Sequence, residues 1–320
     1  MSLPSRTTLP SVKPQVIATF LLLTSVGYYA HSHRKELLAR PPALRDGTVL
    51  NNIQEESDIE TVRASEDTSA LTAAAVRLAE REDKLALVKA EEWVHRPEAA
   101  YRIAAAQIAM HFRGTAALFS VLSADSDPKV RGAVVSAIHN RTEPELAQIV
   151  DRLSVDEALE PRARYEAMYS ALKRKGFGAS SSGLAALISW VERSPDPAVQ
   201  AMAIRQLSIS MKRDRAVARF VGQMAGKDRP ISVRIEALRA LGMTCPVNRS
   251  AILTEIFSSE KDFDLVQAAL RASLFFHDEA VTRAISRSQS RWTGARRPLF
   301  EETLSRARIS VGRDVCAGVQ

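Results

Sequence analysis

Short apolar stripes with helical spacing recur along the chain, and each repeat begins at a proline. Five such prolines stand at intervals of 31, 33, 36 and 33 residues: Pro97, Pro128, Pro161, Pro197 and Pro230. Proline suits the first helical position, because its missing N–H would have no partner there. An acidic residue directly before the proline suits the positive end of the helix dipole. The pattern predicts a helix after each proline, as in DPKVRGAVVSAI from Asp127 and DPAVQAMAIRQL from Asp196.

A second helix is predicted after each first one by apolar residues at i, i+3, i+4 and i+7. The clearest stripes are Leu146, Ile149, Val150 and Leu153; Leu184, Leu187, Ile188 and Val191; and Val217, Phe220, Val221 and Met224. A shorter one is Leu118, Val121 and Leu122. Helices of about ten to fourteen residues are marginal alone in water. Each stripe is therefore expected to be buried against the neighbouring repeat, as in a solenoid.

The acidic-proline start, the Val-Arg pair and the spaced alanines and leucines resemble HEAT repeats, particularly the short bacterial kind similar to phycobilisome-lyase HEAT-like repeats. The resemblance covers residues 95–285, roughly six repeats. It implies an all-α protein, an α-solenoid of HEAT-like helix pairs over residues 68–310, with capping helices near 69–92 and 298–310. It also implies a polar ladder between repeats, in which the arginine of each Val-Arg pair meets an acidic residue of a neighbouring repeat. The ladder positions are Arg131, Arg164, Gln200, Arg234 and Gln267, of which the two glutamines depart from the family pattern.

The N-terminal region does not follow the repeat. The sequence predicts a polar N-terminal leader over residues 1–13, and residues 14–33 carry no formal charge. Because twenty helical residues cover about 30 Å, residues 14–33 predict a single-pass transmembrane signal-anchor helix. A cleaved signal peptide, a mitochondrial presequence and a buried core helix are the alternatives. Positive charges flank both ends, so the side of the membrane that holds the bulk domain stays open.

Two further segments are predicted to lack regular structure. Residues 34–67 contain Pro41-Pro42 and Asp46-Gly47 and show no persistent helical or strand period, which predicts a partly disordered linker. Residues 311–320 form a C-terminal tail.

Composition narrows the class of protein without identifying a partner. Hydrophobic residues make up 46% of the 320-residue chain, too many for a disordered protein, and the net charge of +7 permits an acidic partner without demanding one. Phosphate-loop, dinucleotide, nucleophile-elbow and HExxH motifs are absent from the sequence. Two cysteines exclude a multi-cysteine zinc or iron–sulfur site. We expect no catalytic residues, no cofactor and no metal.

Basic residues concentrate in two stretches that together form a candidate binding patch. Its members are Lys212, Arg213, Arg215, Arg219, Arg291, Arg296 and Arg297. Arginines beside Trp292 suit phosphates, whereas the modest net charge favours ordinary solvated helix faces.

The leading hypothesis is a membrane-tethered HEAT-repeat scaffold or adaptor that binds a protein partner and is not an enzyme. Nucleic acid is not the expected partner under this hypothesis. The alternative is a HEAT-like lyase-type or nucleic-acid-acting enzyme, or its accessory subunit.

The two cysteines, Cys245 and Cys316, are a candidate disulfide. Cys245 lies in a turn and Cys316 in the tail, and neither lies on an apolar stripe. An oxidising compartment would allow the pair to form, and a cytoplasmic domain would keep both as thiols. Two unpaired surface cysteines are the default expectation, because the sequence does not show that they approach within bonding range.

Overall fold

The computed structural model describes residues 47–65, 67–177, 181–275, 278–309 and 316, in which every regular element is a helix. Sixteen α-helices lie in this part of the chain. They are α1 Gly47–Ala64, α2 Thr68–Ala79, α3 Lys84–Trp93, α4 Ala99–Ala109, α5 Ala116–Leu122, α6 Pro128–Ile138, α7 Ala147–Ser154, α8 Pro161–Lys175, α9 Ser181–Arg193, α10 Pro197–Ser210, α11 Arg215–Met224, α12 Ile231–Thr244, α13 Arg249–Ser259, α14 Phe263–Ser273, α15 Glu279–Ser288 and α16 Arg296–Ile309.

Helix α1 belongs to a compact unit of its own, and a second unit begins at Ser65. The sequence predicts a partly disordered linker over residues 34–67, and the helix over residues 47–64 corrects this expectation. After its first residue the helix contains no glycine or proline, and Gln54 Nε2 donates to Asp58 Oδ1 at 3.0 Å, one turn away. The segment lacks an apolar stripe, so hydrophobic periodicity does not predict this helix.

The predicted helix starts are mostly confirmed. Asp127 and Asp196 cap α6 and α10, since each carboxylate accepts from a backbone N–H two residues later at 2.8 Å. Proline occupies the first helical position of α6, α8 and α10. Pro97 and Pro230 instead precede their helices, which begin at Ala99 and Ile231.

The second unit is a two-layer stack of helix pairs. The first helices of the pairs (α2, α4, α6, α8, α10, α12 and α14) contact one another in series, and α14 contacts α16. Each second helix from α3 to α13 contacts the first helix of the next pair. The all-α solenoid is therefore confirmed, and the pair α2–α3 extends the stack to seven pairs within the described residues.

The predicted stripes form the interior of the stack. Leu187 is 1% exposed, and Val217, Val221 and Met224 are fully buried. Fully buried alanines of the first helices, such as Ala203 and Ala237, let neighbouring helices approach closely. Val121 is an exception, because 48% of it is exposed and it lies outside the seam.

The turns within pairs share a backbone feature. In the part of the chain that the structure describes, five of these turns contain a residue with positive φ: Glu82, Gly114, Gly176, Arg213 and Cys245. The left-handed region costs a non-glycine residue roughly 1–2 kcal/mol. At the positions of Arg213 and Cys245, glycine would therefore adopt the same backbone conformation at a lower energetic cost.

Cys245 and Cys316 form a disulfide, with their Cα atoms 5.5 Å apart. The default expectation of two unpaired surface cysteines does not match this structure, in which both residues are buried. Cys245 ends α12 in the left-handed conformation, and its N–H donates to Leu241 O at 2.9 Å. The bond closes a loop of 71 residues and fixes Cys316 to the turn after α12. Of the predicted tail 311–320, the structure describes Cys316 alone.

The predicted transmembrane segment, residues 14–33, lies outside the described residues. Among the helices that the structure does describe, none combines the length and the apolar character needed to cross a bilayer.

Candidate protein-binding groove

Arginines of the first helices bind the turns between consecutive pairs, and Arg131 shows the arrangement most fully. Its Nε donates to Asp156 Oδ2 at 2.6 Å, in the turn after α7. Its Nη1 donates to the carbonyl oxygens of Asp125 and Ser126, in the turn before α6, at 2.7 and 3.1 Å. One side chain therefore joins two successive turns.

The same arrangement recurs in other pairs. Arg102 binds the carboxylate of Asp125 at 2.6 Å, so Asp125 accepts from Arg102 through its side chain and from Arg131 through its carbonyl. Arg234 keeps the carboxylate half of the arrangement, because its Nη2 donates to Glu260 Oε2 at 2.8 Å, in the turn after α13.

Three ladder positions depart from this geometry. Arg164 donates to Glu157 in the preceding turn, at 3.3 Å, and its guanidinium lies 5.5 Å from the Trp190 ring centroid. Gln200 keeps the carbonyl half of the arrangement, because its Nε2 donates to the carbonyls of Val191 and Ser194 at 3.3 and 2.9 Å. Gln267 is half-buried and lines a small cavity beside Arg239.

These ion pairs lower the pKa of the ladder carboxyl groups and so favour their ionised form. The hydrogen bond from Arg131 lowers the pKa of Asp156 below its usual value of 3.8, although burial opposes this effect. Burial alone would raise the pKa of Asp125, but hydrogen bonds from Arg102 and from the Asp127 amide outweigh it and lower that pKa.

A groove at the opposite ends of the helices carries the chemistry most suited to binding. It has a volume of about 470 Å³ and lies between the α10–α11 turn, helix α11 and the α12–α13 turn. The lining residues are Arg213, Arg215, Ala218, Arg219, Gln223, Thr244, Cys245, Pro246, Val247 and Asn248. The described lining residues combine three arginines with an apolar wall, and none of these residues carries a carboxylate.

Local packing fixes both walls of the groove. Gly222 of α11 lets the α12–α13 turn approach closely, since a Cβ at that position would lie 2.6 Å from Asn248 Oδ1. The disulfide holds the start of the same turn at Cys245. Val247 lies in this turn and is 93% exposed, so its apolar side chain contacts solvent at the rim of the groove.

The predicted basic patch is divided by the structure. Arg213, Arg215 and Arg219 line the groove, and Lys212 precedes them as an exposed residue. For Lys212 and Arg219, the described residues supply no ion-pair partner.

The other three predicted arginines do not line the groove, and each has a local contact. Arg291 donates to the carbonyls of Phe257 and Ser258. The Arg296 guanidinium lies 5.8 Å from the Phe263 ring centroid, and Arg297 Nε donates to Glu301 Oε1 at 2.8 Å.

Sequence reasoning missed the second wall of the groove. Pro246 and Val247 belong to no motif, and they meet Arg219 only because two successive pairs stack. The α12–α13 turn directly follows a first helix, as the α10–α11 turn does. This shared position in the repeat is the sequence signal from which the second wall could be predicted. Within the described residues there is no cluster of three or more metal-ligating side chains.

Comparison with known proteins identifies the repeat. Residues 184–274 match the family model of HEAT repeats, which confirms the predicted resemblance. The X-ray structure of YibA from Escherichia coli aligns with 82% of this chain and 97% of its own, with a TM-score of 0.57 and 14% sequence identity. At that identity the similarity shows the fold alone. No curated protein sequence matches the chain.

The lowered pKa of Asp156 predicts a pH-dependent contribution to stability. The folded-state pKa lies below the unfolded one, so the contribution is present above about pH 4 and is lost as the pH falls through the folded-state pKa. At pH 7, Asp156→Asn should lower the free energy of unfolding by about 2 kcal/mol. At pH 3 the deficit relative to the native chain should shrink. Urea unfolding at the two pH values measures this difference.

Asp151→Asn is the matched control, because Asp151 forms an ion pair with Lys175 in which both side chains are at least 50% exposed. It should cost less than about 1 kcal/mol. An equal loss for Asp156→Asn at pH 7 and pH 3 would show that the Arg131–Asp156 charge pair does not stabilise the fold.

Proposed function

We propose that this HEAT-repeat protein is a membrane-tethered, non-catalytic scaffold that binds an acidic, extended segment of a protein partner in the groove beside α11. The observation that carries the proposal is the set of three arginines facing an apolar turn across a groove of about 470 Å³. That volume falls in the range of about 300–1,000 Å³ typical of ligand sites.

The lining residues favour a carboxylate-rich peptide with at least one apolar side chain. Guanidinium groups match carboxylates in a planar, two-hydrogen-bond geometry. Pro246, Val247 and Ala218 offer apolar contact next to these cations. A polyanion without side chains would leave that apolar wall unused.

The nucleic-acid alternative has less support. The basic patch is divided, and Arg291, Arg296 and Arg297 make contacts within the protein. A duplex binder draws its affinity from many phosphate contacts spread over one surface.

A fluorescent octapeptide with three glutamates and one leucine, and the same peptide with glutamines, test the proposed function. The glutamate peptide should bind the full chain, and Arg219→Gln should weaken it about tenfold, the equivalent of one charged hydrogen bond. Val247→Ser should also weaken it, because it removes apolar contact at the rim. Fluorescence anisotropy gives the dissociation constants.

Arg283→Gln is the control for net charge. Arg283 is 67% exposed on α15, outside the groove lining, and should leave binding unchanged. Equal affinity for the glutamate and glutamine peptides would overturn the proposal. Tight, steeply salt-dependent binding of a duplex oligonucleotide at the same arginines would favour the nucleic-acid alternative.

The membrane tether rests on the uncharged residues 14–33. The disulfide supports an oxidising compartment for the repeat domain, since cytosolic thiols are normally kept reduced. We expect the native chain to stay in the membrane pellet after an alkaline carbonate wash, and a chain lacking residues 1–46 to become soluble. Release of the full chain by carbonate would contradict the tether and leave the groove proposal standing.

A further inference from the structure

A second cleft lies at the same end of the helices as the groove beside α11, two pairs earlier in the stack. It has a volume of about 400 Å³ and lies between the α6–α7 turn and the end of α8. We call it the α8 cleft, and its lining includes Arg141, Thr142, Pro144, Ser170, Lys173 and Arg174. The groove beside α11 is also formed by a turn within one pair and the end of the next first helix, at Thr244 of α12. The two sites therefore occupy equivalent places in the repeat.

Two arginines of the α8 cleft are held in place by the turns around them. Arg141 donates through Nη1 to Ala109 O at 3.1 Å and through Nη2 to Glu143 Oε1 at 2.6 Å. Arg174 donates through Nη1 to Glu143 O at 3.0 Å and through Nη2 to Arg141 O. Both guanidiniums are therefore oriented before a ligand arrives, which lowers the conformational entropy that binding would cost.

The cations of the α8 cleft outnumber the carboxylates beside them. The hydrogen bonds from Arg141 lower the pKa of Glu143 to about 2, so Glu143 is ionised at neutral pH and balances the charge of Arg141. Neither Arg174 nor Lys173 forms an ion pair with a described residue. None of the described residues that line the cleft carries a carboxylate. Arg174 and Lys173 therefore add two positive charges that no lining residue neutralises.

Hydrogen-bond donors remain available on the same two side chains. A guanidinium has five N–H groups and an ammonium has three. Arg174 uses two of its five on carbonyl oxygens, and Lys173 is exposed and donates to no described residue. Carboxylates accept such charge-assisted hydrogen bonds and cannot donate in return. Pro144 adds an apolar surface beside these cations, as Pro246 does in the groove beside α11, so the two sites offer the same chemistry.

We propose that the α8 cleft is a second subsite for the same partner segment, from which it takes a further group of carboxylates. This inference rests on the proposed function, which places the first acidic group in the groove beside α11. The equivalent position of the two sites in the repeat and their matching charge carry it. Once one site is occupied, binding at the other becomes intramolecular, so the overall affinity exceeds that of either site alone.

Two fluorescent peptides test the second subsite, and each joins two short segments through a flexible Gly/Ser linker. In the first peptide both segments carry three glutamates and one leucine, and in the second peptide one segment has glutamines instead. The first should bind the full chain at least about tenfold more tightly, because its second segment binds intramolecularly. Linkers of about 6, 12 and 18 residues cover a range of distances, since flexible chains span about 5–6 Å times the square root of their length. Fluorescence anisotropy gives both dissociation constants.

Lys173→Gln should reduce the advantage of the first peptide by about threefold or more, because it removes the unpaired ammonium of the α8 cleft. The affinity of the second peptide should stay within about twofold, since Lys173 does not line the groove beside α11. The Lys173 side chain is exposed, so circular dichroism should show an unchanged fold.

Lys175→Gln is the matched control, because Lys175 is 57% exposed, forms an ion pair with Asp151 and is not among the described residues that line the cleft. It should leave the advantage of the first peptide unchanged. Equal affinity of the two peptides at every linker length, or an equal loss in Lys173→Gln and Lys175→Gln, would overturn the second subsite alone. No binding of either peptide would overturn the proposed function together with this inference. Displacement of the first peptide from the native chain, but not from Lys173→Gln, by an equimolar duplex oligonucleotide would overturn it in favour of nucleic acid.

Discussion

The burial of apolar stripes between neighbouring helix pairs is the constraint on which the rest of this structure depends. The described helices are 7–18 residues long, and helices of this length are marginal in water without tertiary contacts. Each second helix gains stability by placing residues such as Leu187, Val191 and Val221 against its own pair and the next. No single pair has an interior of its own, so stability is a property of the stack.

The requirement to stack in register explains the polar ladder and the difference between the two ends of the helices. At the turns between pairs, Arg131 joins two successive turns through a carboxylate and two carbonyls, and this end of the stack is therefore rich in acidic residues. The turns within pairs around α11 carry the opposite charge, with Arg213, Arg215 and Arg219 in one groove. The ladder arginines and the groove arginines therefore lie at opposite ends of the helices.

Features with a fixed sequence period were predictable, and features that depend on how pairs meet were not. The capped proline starts at Asp127 and Asp196 and the stripe through Leu187 came directly from spacing, because both follow from helix geometry. Val121 has the right spacing yet is exposed, since periodicity cannot say whether the next pair covers a position. The Cys245–Cys316 bond joins residues 71 apart and has no local signal.

The candidate site was predictable only in part for the same reason. The run from Lys212 to Arg219 is recognisable in the sequence as a cluster of basic residues. The facing wall of the groove, with Pro246 and Val247, belongs to the following helix pair. The groove is made by adjacent pairs, so its existence depends on the seam between them.

The most direct test of seam burial compares two substitutions that add the same charge to one helix. Leu187 is buried in the seam of α9, and the adjacent Ala186 is exposed. Leu187→Asp should lower the free energy of unfolding by at least about 3 kcal/mol, because a carboxylate must then be desolvated without a partner. Ala186→Asp should cost about 0.7 kcal/mol or less, the difference in helix propensity. Equal losses in urea unfolding would contradict the claim that burial between pairs holds this solenoid together.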